Sequence, residues 1–215
     1  MDSNGNDSGD DSADSNGDDG TEAPRATPHL LVVGATGALL PAVRTATARG
    51  ATVTALARNA TALRDLERGT GGAARPLARD FEAPGLREAL SRAARHRPFT
   101  GALLYCPLAT PATVRTLTEA VPAGRPVVLL LTSAHAAPEG EEGDAGRWDP
   151  ALLPSGTRPA PGCRLLVLGW RTRPEGSRWH TAEEVSEAAL RVLDAAPPGD
   201  AVLGRVRPWS TRPSA

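Results

Sequence analysis

The sequence predicts an α/β protein: one domain built on a parallel sheet wound with helices on both faces. Three observations carry that expectation. Short apolar runs recur from residue 29 onward, and most are separated by stretches with helical spacing of Leu, Ala and Val. Alternation of that kind leads to parallel pairing, because each strand returns to the same end through a helix. No internal repeat of solenoid length interrupts the pattern, and no two apolar runs are joined by a tight hairpin signal.

The opening unit is the best defined. Leu30–Val33 is an apolar run that meets Gly34, Ala35, Thr36 and Gly37, and a helix follows to about Arg49. Gly50 stops that helix, and Thr52–Ala57 alternates as a second strand. Strand, glycine turn, helix and strand in this order form the pattern of a dinucleotide-binding βαβ unit. In such a unit the amides of the turn and the helix start hold a pyrophosphate. The expected contacts are Gly34, Thr36, Gly37, Ala38 and Leu39. The third glycine of the usual fingerprint is replaced by Leu40, so the helix is expected to sit differently over the first strand. Pro41 falls in the first helical turn, where a missing N–H costs little.

At the end of the second strand stand Ala57, Arg58 and Asn59. A carboxylate here would read the 2′-hydroxyl of NAD. Arg58 instead suits the extra phosphate of NADP, so NADP is expected over NAD. A solvated surface arginine is the other reading of Arg58.

Farther along, Thr61–Arg68 is expected as a short helix, Ala74–Ala78 as a strand ending at Arg79 and Asp80, and Leu86–Arg95 as a helix. Ala102–Cys106 reads as a buried strand, Pro111–Ala120 as the next helix, and Val127–Leu131 as the most apolar strand. Glu139–Pro161 breaks the rhythm with Pro, Gly and acids around Trp148, and is either a binding loop or an insertion. Cys163–Leu168 resumes as a strand. Thr181 and Glu184 form a capping box, with Val185, Ala188, Ala189, Val192 and Leu193 as one apolar stripe behind it. Ala201–Val206 is expected as the last strand.

Composition narrows the chemistry. The net charge of −1 hides an acidic tail: eight of the 25 acids lie in residues 2–22, with no base among them. The remainder has 17 acids against 24 bases, a net +7. Residues 1–27 have too little to bury and are expected to be disordered, leaving 28–213 as the folded domain. The arginines are dispersed and few aromatics accompany them, so no nucleic-acid partner is expected. All 24 basic residues are arginine, which removes lysine Schiff bases and the lysine-bearing phosphate loop. Cys106 and Cys163 are expected as buried free thiols about 9–10 Å apart across one intervening strand. The N-terminus is not a secretory signal and the longest apolar run cannot span a membrane. A cytoplasmic protein with no membrane association follows. His29, His96, His135 and His180 lack metal-ligand spacing, so no metal is expected. His180 is expected at the surface beside the capping box.

The glycine turn, Ala57–Asn59 and Asp80 together resemble the short-chain dehydrogenase/reductase superfamily. Residues 168–170 (LGW), 177–186 (SRWHTAEEVS) and 207–213 (RPWSTRP) are similar to a small bacterial group of short-chain dehydrogenases carrying RW-x-T-x-EE-[IV]-S. The resemblance covers about 29–213. It implies a Rossmann fold and an NADP-type cofactor, with Asp80 at the adenine and Tyr105–Pro107 beside the nicotinamide-side ribose. The chain departs from the wider superfamily in its catalytic set, a serine with a Tyr-x-x-x-Lys pair. It has no lysine, and its one tyrosine, Tyr105, ends a strand. Ser133 stands where the superfamily serine would and is the one catalytic candidate. Two functions stay open: an atypical NADP-dependent oxidoreductase acting on an unknown small molecule, or a non-catalytic protein that binds or senses NADP(H) or another nucleotide. Neither substrate nor oligomeric state is legible.

Overall fold

The computed structural model describes residues 27–138 and 148–214. The expectation of a disordered tail over 1–27 lies almost wholly outside these residues, as does the 139–147 part of the proline-rich loop.

Seven strands form one parallel sheet in the order β3-β2-β1-β4-β5-β6-β9. They are β1 (His29–Val33), β2 (Thr52–Ala57), β3 (Ala74–Ala78), β4 (Gly101–Leu104), β5 (Val127–Thr132), β6 (Cys163–Leu168) and β9 (Ala201–Leu203). Alternate side chains of the central strands feed two cores. Leu30, Val32, Leu103, Val128 and Leu130 face α1 (Leu40–Ala48), α2 (Ala60–Gly69) and α5 (Ala182–Asp194). Leu31, Val33, Leu104, Leu129 and Leu131 face α3 (Leu86–Ala94) and α4 (Pro111–Glu119). Because both faces are covered, the strands read as apolar runs rather than alternating ones. This is the Rossmann-like doubly wound α/β fold in a single domain. Pro76 is accommodated because β3 lies at the sheet edge.

Local chemistry explains most boundaries. α1 ends at Arg49 because Gly50 adopts φ +86°, placing the Ala51 N–H on the Ala46 carbonyl and the Gly50 N–H on the Thr47 carbonyl, both at 3.0 Å. That pair of bonds satisfies carbonyls left over by the last turn. The capping box on α5 is complete: Thr181 Oγ1 accepts from the Glu184 amide at 3.3 Å, and Glu184 Oε2 accepts from the Thr181 amide at 3.0 Å. All five members of the expected stripe on α5 are buried.

Among the described residues, the β5–β6 connection contains short 3₁₀ turns (Ser133–Ala136, Pro150–Leu152 and Ser155–Thr157) and no α-helix, in keeping with its aperiodic sequence. One feature departs from the sequence: an antiparallel ribbon appears where no hairpin was expected, β7 (Trp170–Arg173) pairing with β8 (Gly176–Trp179). Its Trp170 is fully buried, edge-on to Trp179 at 6.2 Å and to Trp209 at 5.9 Å. The final strand is shorter than expected, Ala201–Leu203. Beyond it Gly204 turns the chain, and Arg205 exchanges both backbone hydrogen bonds with Trp170.

Both cysteines are free and buried, on β4's C-terminal extension and on β6, with β5 between them. Burial pushes the Cys106 thiol up to about 12 and that of Cys163 to about 11, so both stay protonated and unreactive. No helix among the described residues is long and apolar enough to cross a membrane, and no group of acids, histidines and cysteines there could hold a metal ion.

Candidate functional site

The C-terminal ends of β1 to β4 open into one cleft of about 690 Å³. Each strand contributes the residues directly after it: Gly34, Thr36, Gly37 and Ala38 after β1, Arg58 and Asn59 after β2, Asp80–Glu82 after β3, and Tyr105, Pro107 and Leu108 after β4. Parallel strands with right-handed crossovers bring these loops to the same edge of the sheet. The expected residues are therefore neighbours, with one exception. The Leu39 side chain is fully buried in the core and does not line the cleft.

The glycine turn is built by two different constraints. Gly34 has φ +84°, and a Cβ there would stand 2.9 Å from the Tyr105 carbonyl oxygen, so β1 and β4 can approach at this point only through glycine. Gly37 has no such neighbour: the nearest atom to its added Cβ is the Gly34 carbonyl at 3.9 Å. Among the described residues no close contact requires glycine at 37, which lines the cleft.

The amides of the turn divide in the same way. Those of Gly34 and Ala35 donate to the Leu56 carbonyl, and that of Gly37 to the Gly34 carbonyl. Among the described residues, the N–H groups of Thr36, Ala38 and Leu39 donate to no protein acceptor. Open amides at a helix start, beside a glycine with room in front of it, suit a phosphate group. The Ala38 carbonyl, on the far side of the turn, accepts from the hydroxyl of Ser186 on α5 at 2.9 Å.

Arg58 is exposed at the cleft mouth and makes no ion pair among the described residues. Asn59 lines the cleft but its side-chain oxygen caps α2, accepting from the Ala62 amide at 3.0 Å. Asp80 accepts from the Glu82 amide at 2.9 Å, which folds the loop after β3 inward. Glu82 caps α4 from that loop, and the Thr110 N–H it accepts holds its carboxyl below the usual range. Tyr105 is half-buried, and burial raises its phenol pKa. Phe81, Glu82 and Leu108 were not singled out in the sequence. Leu108 is 87% exposed on the cleft lip, a position that only the fold reveals.

The structure separates the catalytic candidate from this cleft. Ser133 is buried at the start of a 3₁₀ turn and lines neither this cleft nor the neighbouring cavity of about 440 Å³. His135 and Thr132 do line that second cavity, with Cys106, Arg115 and Leu131, and Pro107 is common to both spaces. His180 departs from its expected surface position. Its side chain is 7% exposed, with Nδ1 donating to Glu184 at 3.2 Å. The ring lies against Gly204, where an added Cβ would be 2.3 Å from Nε2.

No protein-family model matches the sequence, and no curated protein matches it. Solved structures do share the fold. The chain is similar to an oxidoreductase of the short-chain dehydrogenase/reductase family from Burkholderia thailandensis, at 17% identity over 83% of this chain and 91% of that one, TM-score 0.56. It is also similar to a short-chain dehydrogenase from Streptomyces avermitilis, at 16% identity over 85% and 90%, TM-score 0.59. At such identities the likeness establishes the architecture.

Proposed function

We propose that the cleft binds NADP and that the chain, over residues 28–213, is an atypical oxidoreductase of the short-chain dehydrogenase/reductase superfamily. The observation that carries this reading is the pairing, along one cleft, of open turn amides with an arginine that makes no ion pair among the described residues. Thr36, Ala38 and Leu39 offer N–H donors to a pyrophosphate, with Gly34 and Gly37 giving it room. Arg58 offers a cation to a 2′-phosphate. The fold shared with solved dehydrogenases supports it. Asp80 is assigned to the adenine end with Asn59 beside it, and Tyr105–Pro107 to the nicotinamide-side ribose. The bound cofactor would supply hydride chemistry to a small carbonyl or alcohol substrate. Buried, protonated thiols suit the reducing environment of the cytoplasm.

A second reading is favoured by a specific observation. The chain has no lysine, and Ser133 does not line the cleft. A cleft that holds a dinucleotide without a proton relay is what a sensor of NADP(H) requires.

Titration of NADPH and NADH, followed by nicotinamide fluorescence, tests the shared part of both readings. Tighter binding of NADPH is expected, and failure of either dinucleotide to bind at millimolar concentration refutes both. Oxidation of NADPH in a screen of carbonyl substrates separates enzyme from sensor. Turnover that survives Ser133→Ala would remove Ser133 from the reaction.

A further inference from the structure

The glycine turn is not held by its own strand and helix alone. Ser186, on the third helix turned towards the same core, is 2% exposed and donates its hydroxyl proton to the Ala38 carbonyl at 2.9 Å, across 148 residues of chain. A serine inside a helix ordinarily returns its hydroxyl to the carbonyl one turn back. Ser186 spends it on the turn instead.

The start of α5 is fixed tightly enough to aim that hydroxyl. Glu184, two residues earlier, accepts from Arg178 Nη1 at 2.8 Å and Nη2 at 2.7 Å, from Arg171 at 2.8 Å, from His180 Nδ1 at 3.2 Å and from the Thr181 amide at 3.0 Å. The forked contact with Arg178 anchors the helix to the β7–β8 ribbon. α5 then packs along α1, whose first turn continues the glycine turn.

The peptide linking Ala38 to Leu39 is trans, since the cis bonds among the described residues are Ala196–Pro197 and Arg207–Pro208. In a trans peptide the carbonyl and the following N–H point in opposite directions from one rigid plane. A bond that draws the Ala38 carbonyl towards α5 therefore turns the Leu39 N–H away from α5. That amide has no protein acceptor among the described residues.

We infer that Ser186 is a positioning residue for the phosphate site: by holding the Ala38 carbonyl it presets the Leu39 amide as a donor to the pyrophosphate of a bound dinucleotide. The inference rests on the NADP reading and adds a residue that never touches the ligand. It also gives Leu39 a role its buried side chain cannot have. Without the bond the plane is free to rotate, and the donor must be ordered during binding.

Ser186→Ala tests it with two probes, NADPH and adenosine 2′-monophosphate. The second carries the adenine and the 2′-phosphate but no pyrophosphate. Ser186→Ala is expected to weaken NADPH by about tenfold, the size of one hydrogen bond's worth of preorganisation, and to leave adenosine 2′-monophosphate within about twofold. Unchanged NADPH binding, or equal loss of both probes, overturns the inference while the NADP reading stands. A wild-type protein that binds neither probe overturns both. A melting curve confirms that the variant is folded, and Ser186→Cys, nearly the same size with a weak donor, serves for the same comparison if the alanine variant is not.

Discussion

The carboxylate of Glu82 reaches from the loop after β3 to the first turn of α4, where it accepts from the Thr110 amide at 2.7 Å and from the Thr113 hydroxyl at 2.9 Å. One side chain thus ties two of the four loops that form the cleft, and it places a negative charge at a helix N-terminus, where the exposed amides favour it. Leu108 and Pro107 lie on the segment that this contact restrains.

Because those donors lower the Glu82 pKa below its ordinary 4.5, the unfolded chain takes up the proton first as the pH falls. The contact's stabilisation is therefore fully present above pH 4.5 and lost as the pH drops towards the folded value. Glu82→Ala is expected to melt at a lower temperature than the wild type at pH 7, and the gap is expected to close on acidification below pH 4.5. Melting curves between pH 3 and 7 measure both. A gap that persists unchanged at pH 3 would show that the carboxylate charge is not what stabilises α4.

At the opposite, N-terminal ends of the strands, His29 is fully buried. Its Nδ1 lies 2.7 Å from the Arg97 carbonyl and its Nε2 2.9 Å from the Thr54 hydroxyl. A carbonyl can only accept, so Nδ1 carries the proton and Nε2 accepts from Thr54 in the neutral ring. Burial lowers the His29 pKa below 6.5. The unfolded state then binds the proton first, and stability is expected to fall as the pH drops through 6.5 towards the folded value. In His29→Leu that slope is expected to flatten. The variant is also expected to be less stable by about 1–3 kcal/mol at pH 7, because Thr54 and Arg97 lose their partner. Urea titrations at pH 7.5, 6.5 and 5.5 provide the comparison, and an unchanged slope in the variant assigns the pH dependence to other groups.

Much of this site was legible because its determinants are local. The glycine turn follows an apolar run, Thr181 is a capping residue with its partner three positions away, and Gly50 stops α1; each signal lies within one turn of the feature it sets. What sequence reading missed depends on contacts far apart in the chain. Ser186 looks like one more polar residue until α5 is laid beside the turn. The β7–β8 ribbon has few apolar residues of its own and is held at its base by Trp170 and Trp179. His180 was expected at the surface because it adjoins the capping box, but Gly204, 24 residues on, packs against its ring and its side chain is buried. The Leu39 side chain belongs to the core, which leaves its backbone amide as the group it can offer to the cleft.

The two glycines of the turn are expected to respond differently to substitution. In Gly34→Ala a Cβ meets the Tyr105 carbonyl at 2.9 Å, on a backbone with φ +84°, so a loss of stability is expected on the order of 1–3 kcal/mol. At position 37 a Cβ meets nothing closer than the Gly34 carbonyl at 3.9 Å, so the melting temperature of Gly37→Val is expected to stay close to that of the wild type while NADPH binding falls by more than about tenfold, a difference of ~1.4 kcal/mol. Melting curves and NADPH titrations on the two variants check the pair. Retained NADPH binding in Gly37→Val would mean that the phosphate does not approach the turn.

In the proposed NADP reading, Arg58 is the residue that selects between the dinucleotides. It stands at the end of β2, next to Ala57, and that loop has no carboxylate to accept from a ribose 2′-hydroxyl. An exposed guanidinium with no ion-pair partner among the described residues gives up little there when a phosphate arrives, so the contact costs little reorganisation. Arg58→Asp reverses the local charge. It is expected to weaken NADPH by about tenfold or more, ~1.4 kcal/mol, through loss of the charge-assisted contact and added repulsion. NADH carries no 2′-phosphate and is expected to bind the variant at least as well as the wild type, because the new carboxylate can accept from the free hydroxyl. Parallel fluorescence titrations at fixed ionic strength read both constants, and fixing the salt matters because an exposed ion pair is screened. Equal losses for the two cofactors would show that Arg58 acts on the cleft as a whole and does not read the 2′-phosphate.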